Sequence, residues 1–276
     1  MKHDMIALAP TGFVRIGASD LEYRMIGPAP ADAPTIVMLH EGLGSAALWG
    51  DFPDKLQAAT GAGVLVYSRA GYGASTPVKL PRPLDYMQIE ALQVLPKLLD
   101  RIGFRRGLSV GHSDGASIAA IYAGSHQDHR VQGIAMIAPH FIVEDISVKS
   151  IAEIKTAYET TNLREKLSRW HNDVDNAFYG WNGAWLDPKF REWDITEYLA
   201  YIRVPVAIIQ GADDQYGTMR QIEIAREECY CPVEVTILPG VAHAPYREAP
   251  GDTLQALSDF YRAVMEVHEG AEGRAA

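Results

Sequence analysis

The chain has 276 residues, enough for one large domain or one domain carrying an insertion. Its 47% hydrophobic and 22% charged residues are those of an ordinary globular protein, and a formal net charge of -10 with no offsetting basic run argues against a nucleic-acid partner. No apolar run is long enough to span a bilayer, and the opening "MKHDMIALAPTGF" makes a poor secretion signal, so a cytoplasmic protein without membrane attachment is expected.

Taken in chain order, "FVRIG" and "LEYRMIG" alternate in polarity and read as an antiparallel edge hairpin. Six apolar, Val- and Ile-rich runs follow, at Thr35–Glu41, Gly63–Gly73, Gly107–Ser113, Val131–His140, Val204–Asp214 and Val233–Gly240. Continuous apolarity marks strands buried on both faces. Helical patterns fall at Asp85–Ile102, Gly115–Ser125, Thr218–Glu228 and Asp252–Val264, with Pro96 placed to kink the first. Alternating strands and helices predict an α/β fold, a mostly parallel, doubly wound sheet. The pattern breaks over 142–201, which is aromatic and partly helical, and a long insertion between core strands is uncommon unless it is functional. It reads as a helical cap over a core made of 1–141 and 202–265, with 266–276 as a flexible tail. Cys229 and Cys231 sit too close for disulfide geometry and too few for a zinc site, and read as reduced thiols.

The stretch "VGHSDGAS" lies on the corner between a buried strand and a small-residue helix. A sharp turn there forces Ser113 into a strained conformation and lifts out its hydroxyl. The residues two before and two after, Gly111 and Gly115, must then be small to avoid collision. Ser113 is thus a candidate nucleophile, and a serine hydroxyl needs a base. His243, in the loop after the last strand, lies at the rim where sites in open α/β sheets are found. His126 and His129 lack evident further metal ligands, His40 and His140 end strands at the same rim, and His112 sits in the tight turn itself. "IIQGADDQYGT" offers two acids to orient the base, Asp213 and Asp214.

Over essentially its whole length the chain resembles the α/β-hydrolases, through "MLHEGLGS", "YSRAGYGAS", "VGHSDGAS", "IQGADDQYG" and "LPGVAHAPYREAP". The resemblance implies a Ser113–His243–Asp214 triad, Asp214 being preferred because the family's acid commonly lies three residues after the strand-ending glycine, here Gly211. It also implies an oxyanion hole from the backbone N–H of Asp114 and of Gly42, with Leu43 as the fallback, because Glu41 takes the place of a usual glycine. The Asp114 side chain should turn from the oxyanion, either to face the helix N-terminus or to hold a donor on the substrate. Glu41 either pairs within its loop, perhaps with Arg69, or contacts substrate. Glu41, Leu43, His140, Tyr179, Trp181 and Trp185 are the candidate substrate-binding residues.

The resemblance implies a serine hydrolase acting on a small ester, thioester or lactone, with no cofactor and no metal. The expected partner is a small-molecule substrate, and the expected state a monomer or homodimer. Two alternatives stay open: a carbon–carbon bond hydrolase acting on a ring-cleavage diketone, and a ligand-binding homologue without turnover. Epoxide hydrolysis by the usual aspartate route is disfavoured by Ser113 at the nucleophile position.

Overall fold

The computed structural model describes residues 5–275, with side chains as far as residue 268. One sheet holds eight strands, β1 (Thr11–Ile16), β2 (Ser19–Ile26), β3 (Thr35–Leu39), β4 (Gly63–Tyr67), β5 (Gly107–His112), β6 (Val131–Ile137), β7 (Val206–Gly211) and β8 (Val233–Leu238). Their spatial order is β1-β2-β4-β3-β5-β6-β7-β8. The β1–β2 hairpin pairs antiparallel with itself and with β4, and all other pairings are parallel. Every expected strand is present. Most end a few residues earlier than the apolar runs suggest, which frees His40, Ser113, His140 and Asp214 to sit in loops at the C-terminal edge of the sheet.

Alternate residues of each central strand enter different cores. Val37, Leu65, Ile134 and Ile208 join a cluster with the helices Leu95–Arg101 and Asp114–Ser125. Their neighbours Ile36, Val64, Ala135 and Ile209 join a second cluster with the helix Phe52–Thr60 and the C-terminal helix Pro250–Ala275. A period of two with both faces covered explains why these strands read as unbroken apolar runs. The order turns back at β3, whose neighbours β4 and β5 come next in the chain on opposite sides. Such a switch point opens a crevice at the C-terminal strand ends.

The helix expected over Asp85–Ile102 contains one π-helical turn, Glu90–Val94, immediately before Leu95-Pro96. Pro96 has no N–H to give and crowds the preceding turn, so the ladder widens there. Helices Asp145–Thr160, Leu163–Leu167 and Val174–Trp185 occupy the segment between β6 and β7. Within the segment expected as a tail, 266–276, the C-terminal helix continues as far as Ala275. Glu266, Ala271, Glu272 and Arg274 are good helix formers and outweigh Gly270 and Gly273. Residue 276 lies outside the described residues.

Gly107 opens β5 at φ +148, and a Cβ there would lie 1.9 Å from the Thr35 carbonyl oxygen. Gly107→Ala is therefore expected to lower the unfolding free energy by about 3 kcal/mol or more. Urea denaturation checks this, and an alanine variant as stable as the parent would contradict the tight β3–β5 spacing.

Candidate active site

Between β5 and the helix Asp114–Ser125, Ser113 adopts φ 53 and ψ -118. A non-glycine residue pays roughly 1–3 kcal/mol to sit in such a region, so the surroundings must enforce it. They do so by close approach. A Cβ on Gly111 would lie 2.2 Å from the Gly115 oxygen, and one on Gly115 would lie 2.1 Å from the Leu39 oxygen. Only glycine allows strand, turn and helix to meet this closely. The Ser113 N–H donates to the Ile137 oxygen at 2.9 Å, which ties the corner to β6.

His243 follows β8 and places Nδ1 2.8 and 2.9 Å from the two carboxylate oxygens of Asp214. Asp214 also accepts from the Tyr216 N–H at 2.7 Å, the Gly217 N–H at 3.3 Å and Gln210 Nε2 at 2.8 Å. Burial alone would raise the Asp214 carboxyl, but the hydrogen bond and charge of His243 and the Tyr216 N–H outweigh it and hold it at about 2. An ionised acceptor keeps the proton on Nδ1 and leaves Nε2 as the basic nitrogen. Asp213, the other candidate acid, is exposed, and its N–H donates to Val241. Ser113 and His243 line the same cavity, of about 110 Å³. The two side chains are not hydrogen-bonded to each other, a looseness common before substrate tightens a site.

The loop His40–Gly44 forms another wall of that cavity, and its carbonyls are pinned. Buried Arg69 donates through Nη1 to the His40 oxygen and through Nη2 to the Glu41 oxygen at 3.0 Å. His40 donates from Nδ1 to the Glu41 oxygen at 2.7 Å while Nε2 accepts the Arg69 N–H at 3.0 Å. Burial, and then the Arg69 charge, hold this imidazole well below its usual pKa, so it stays in one neutral tautomer. His171, from the segment between β6 and β7, accepts the Gly73 N–H at 2.9 Å on Nδ1 and donates from Nε2 to the Leu43 oxygen at 3.0 Å. With the carbonyls held, the N–H groups of Gly42, Leu43 and Asp114 have no acceptor among the described residues. Trp181 packs on Gly42 so closely that a Cβ there would lie 2.1 Å from its Nε1.

The expected Glu41–Arg69 side-chain pair does not form. Arg69 grips the backbone oxygens, and the Glu41 carboxylate turns to His112, with Oε2 3.4 Å from Nδ1. Burial would raise this carboxyl, yet His112, and more weakly Arg247, hold it far below the ordinary carboxylate range. His112 in turn donates from Nε2 to the His243 carbonyl at 2.7 Å. Asp114 is fully buried, accepting from the Tyr86 hydroxyl at 2.5 Å and Trp185 Nε1 at 3.3 Å, with Arg69 at 3.8 Å. Its carboxylate is thus directed at protein donors and fixes Trp185. Burial raises its pKa despite the Arg69 charge.

Of the candidate substrate-binding residues, Glu41, Leu43, His140, Trp181 and Trp185 line the cavity. Tyr179 does not: it is 40% exposed and packs edge-on to Tyr158 and Phe178. On one helix Trp181 and Trp185 share a face four residues apart, and Tyr179 is rotated away from it. Ser147, Ile151 and Tyr216 also line the cavity. Ser147 and Ile151 had no motif to announce them, whereas Tyr216, two residues after Asp214, lay within a stretch already singled out. His126 and His129 border a separate cavity beside Asp128, and among the described residues no group of three His, Cys, Asp or Glu is placed to hold a metal ion. Cys229 and Cys231 are free thiols.

An esterase/perhydrolase of Acinetobacter calcoaceticus is 27% identical over 225 residues, 71% of this chain and 79% of that protein. Epoxide hydrolase 3 of Xenopus tropicalis is 20% identical over 93% of this chain and 79% of its own length. A carboxylesterase crystal structure from Nitrososphaera gargenis superposes with a TM-score of 0.74 at 20% identity, covering 92% of this chain and 99% of that one. The model of the alpha/beta hydrolase family matches residues 36–256, and the chain belongs to that family.

Proposed function

We propose that this hydrolase cleaves a small carboxylic ester, thioester or lactone through an acyl-enzyme on Ser113. The observation that carries the reading is Ser113 raised at φ 53 on the wall of the cavity that His243 shares, with His243 already oriented by Asp214. Ser113 Oγ attacks the carbonyl carbon and its proton passes to His243 Nε2. Asp214 stabilises the resulting imidazolium. The N–H groups of Asp114 and Gly42 hold the oxyanion, with Leu43 beside them. His243 then gives the proton to the departing alcohol, thiol or ring oxygen, and water attacks the acyl-enzyme by the same route. Segment 142–201 serves as the cap, supplying Trp181, Trp185, Ser147 and Ile151 to the acyl pocket. The reading is favoured over the aspartate route of epoxide hydrolysis because serine stands at the corner.

The cavity sets the size of the acyl group. A dry cavity of ~150 Å³ takes benzene, so about 110 Å³ suits an acyl chain of roughly three or four carbons. Across p-nitrophenyl esters, kcat/KM is expected to peak at propionyl or butyryl, and Ser113→Ala to lower kcat by at least ~10⁴-fold. A flat profile would contradict the pocket, and activity surviving the substitution would contradict the nucleophile.

Asp214→Asn should lower kcat by about 10⁴-fold through the wrong imidazole tautomer. It should also change acid stability with a definite sign. The folded pKa of about 2 lies below the ordinary 3.8, so the ionised carboxylate stabilises the fold above about pH 4. That contribution, about 2 kcal/mol, is lost as pH falls through 2. The stability difference between wild type and Asp214→Asn is therefore expected to shrink between pH 5 and pH 2 by about that amount. Urea titrations at the two pH values check it, and a constant difference would contradict the ionised pair.

A further inference from the structure

His140, in the loop after β6, belongs neither to the catalytic pair nor to the pinned loop, yet it lines the cavity. It is 2% exposed, and neither ring nitrogen has a hydrogen-bond partner among the described residues: Nδ1 is sealed beside Gly217, which leaves Nε2 as the nitrogen a ligand in the cavity can reach. The ring lies edge-on to Trp185 at 5.3 Å and tilted against His243 at 5.5 Å, with Gly217 along its Nδ1–Cε1 edge. Its backbone is fixed by Ser117 Oγ, which donates to the His140 oxygen at 2.6 Å. Burial, and then the neighbouring His243, push its pKa down to about 3, so it is neutral. A buried imidazole left unpaired is costly where a leucine would fill the same space, and such a group calls for a partner.

The surroundings narrow what that partner is. The cavity lining includes no Lys or Arg, so no cation there would meet an anionic substituent, which disfavours one. A neutral imidazole supplies one N–H and one lone pair, the complement of an uncharged oxygen. We infer that His140 determines specificity by hydrogen-bonding a hydroxyl or keto oxygen on the acyl chain, two carbons beyond the scissile carbonyl. The inference rests on the ester-cleaving reading for the direction of the acyl chain, and it commits to the 3-position.

The test compares methyl butyrate, methyl 3-hydroxybutyrate and methyl acetoacetate. Turnover is followed by pH-stat in wild type, His140→Phe and His140→Gln, and binding to Ser113→Ala by NMR. At least one oxygenated ester is expected to exceed butyrate about tenfold in kcat/KM and in affinity, the size of one hydrogen bond to an otherwise unpaired buried group. Preference for the hydroxy ester alone assigns a donor on the substrate, and preference for both assigns an acceptor. His140→Phe should erase the preference, read as the ratio of kcat/KM for the oxygenated ester to that for butyrate within the one variant, and His140→Gln should keep part of it. Equal handling of all three esters by wild type, or an unchanged preference in His140→Phe, would overturn the inference. Selective binding to Ser113→Ala without turnover by wild type would sustain His140's role in recognition and sink the ester-cleaving reading instead.

Discussion

The contact on which the rest of the site depends is the approach of Gly115 to the Leu39 carbonyl, where a Cβ would stand 2.1 Å from the oxygen. It brings the helix Asp114–Ser125 down onto the end of β3, which forces Ser113 to turn at positive φ rather than continue β5. That single corner places Ser113 at the C-terminal rim and the Asp114 N–H beside it. The end of β3 then delivers His40–Gly44 to the same point. Local strain of roughly 1–3 kcal/mol is held by a sheet whose alternate residues fill two separate cores.

A loop alone would not hold one backbone orientation at the cavity wall. Here the polar residues beneath it are committed to backbone: Arg69 and His40 to the carbonyls of residues 40 and 41, and His171 to that of residue 43. A buried guanidinium is costly unless its donors are met: two carbonyls take Nη1 and Nη2, Asp114 lies 3.8 Å from Nη2, and only Nε is left without a partner. With the carbonyls occupied, the Gly42 and Leu43 amides are left without an acceptor among the described residues, as the proposed oxyanion hole requires. The same economy explains Asp114. Its carboxylate would oppose an oxyanion, and Tyr86 and Trp185 draw it the other way.

Much of this was legible in the residues. The strands announced themselves because burial on both faces leaves long apolar runs, and the corner because only steric exclusion explains Gly111 and Gly115 flanking Ser113. Asp214 over Asp213 needed the resemblance, since two adjacent acids after one strand are equivalent in pattern and differ only in which one the turn directs at His243. The segment between β6 and β7 was legible as an insertion but not in detail. Tyr179 looked equivalent to Trp181 because an aromatic-rich helix does not declare its inward face. The role of His171 was invisible: its two partners, Gly73 and Leu43, are 98 and 128 residues away in the chain. The Glu41–Arg69 expectation failed for a related reason, since charge complementarity does not say that a guanidinium will prefer carbonyls at a strand end.

The central claim is that Ser113 carries the acyl group between two half-reactions. The most direct measurement is rapid mixing with p-nitrophenyl butyrate, acid quenching within one turnover, and peptide mass spectrometry. The account predicts a butyryl group on the peptide bearing Ser113, appearing with a burst of p-nitrophenol and absent from Ser113→Ala. Turnover with no acylated peptide, or an acyl group on another residue, would contradict it.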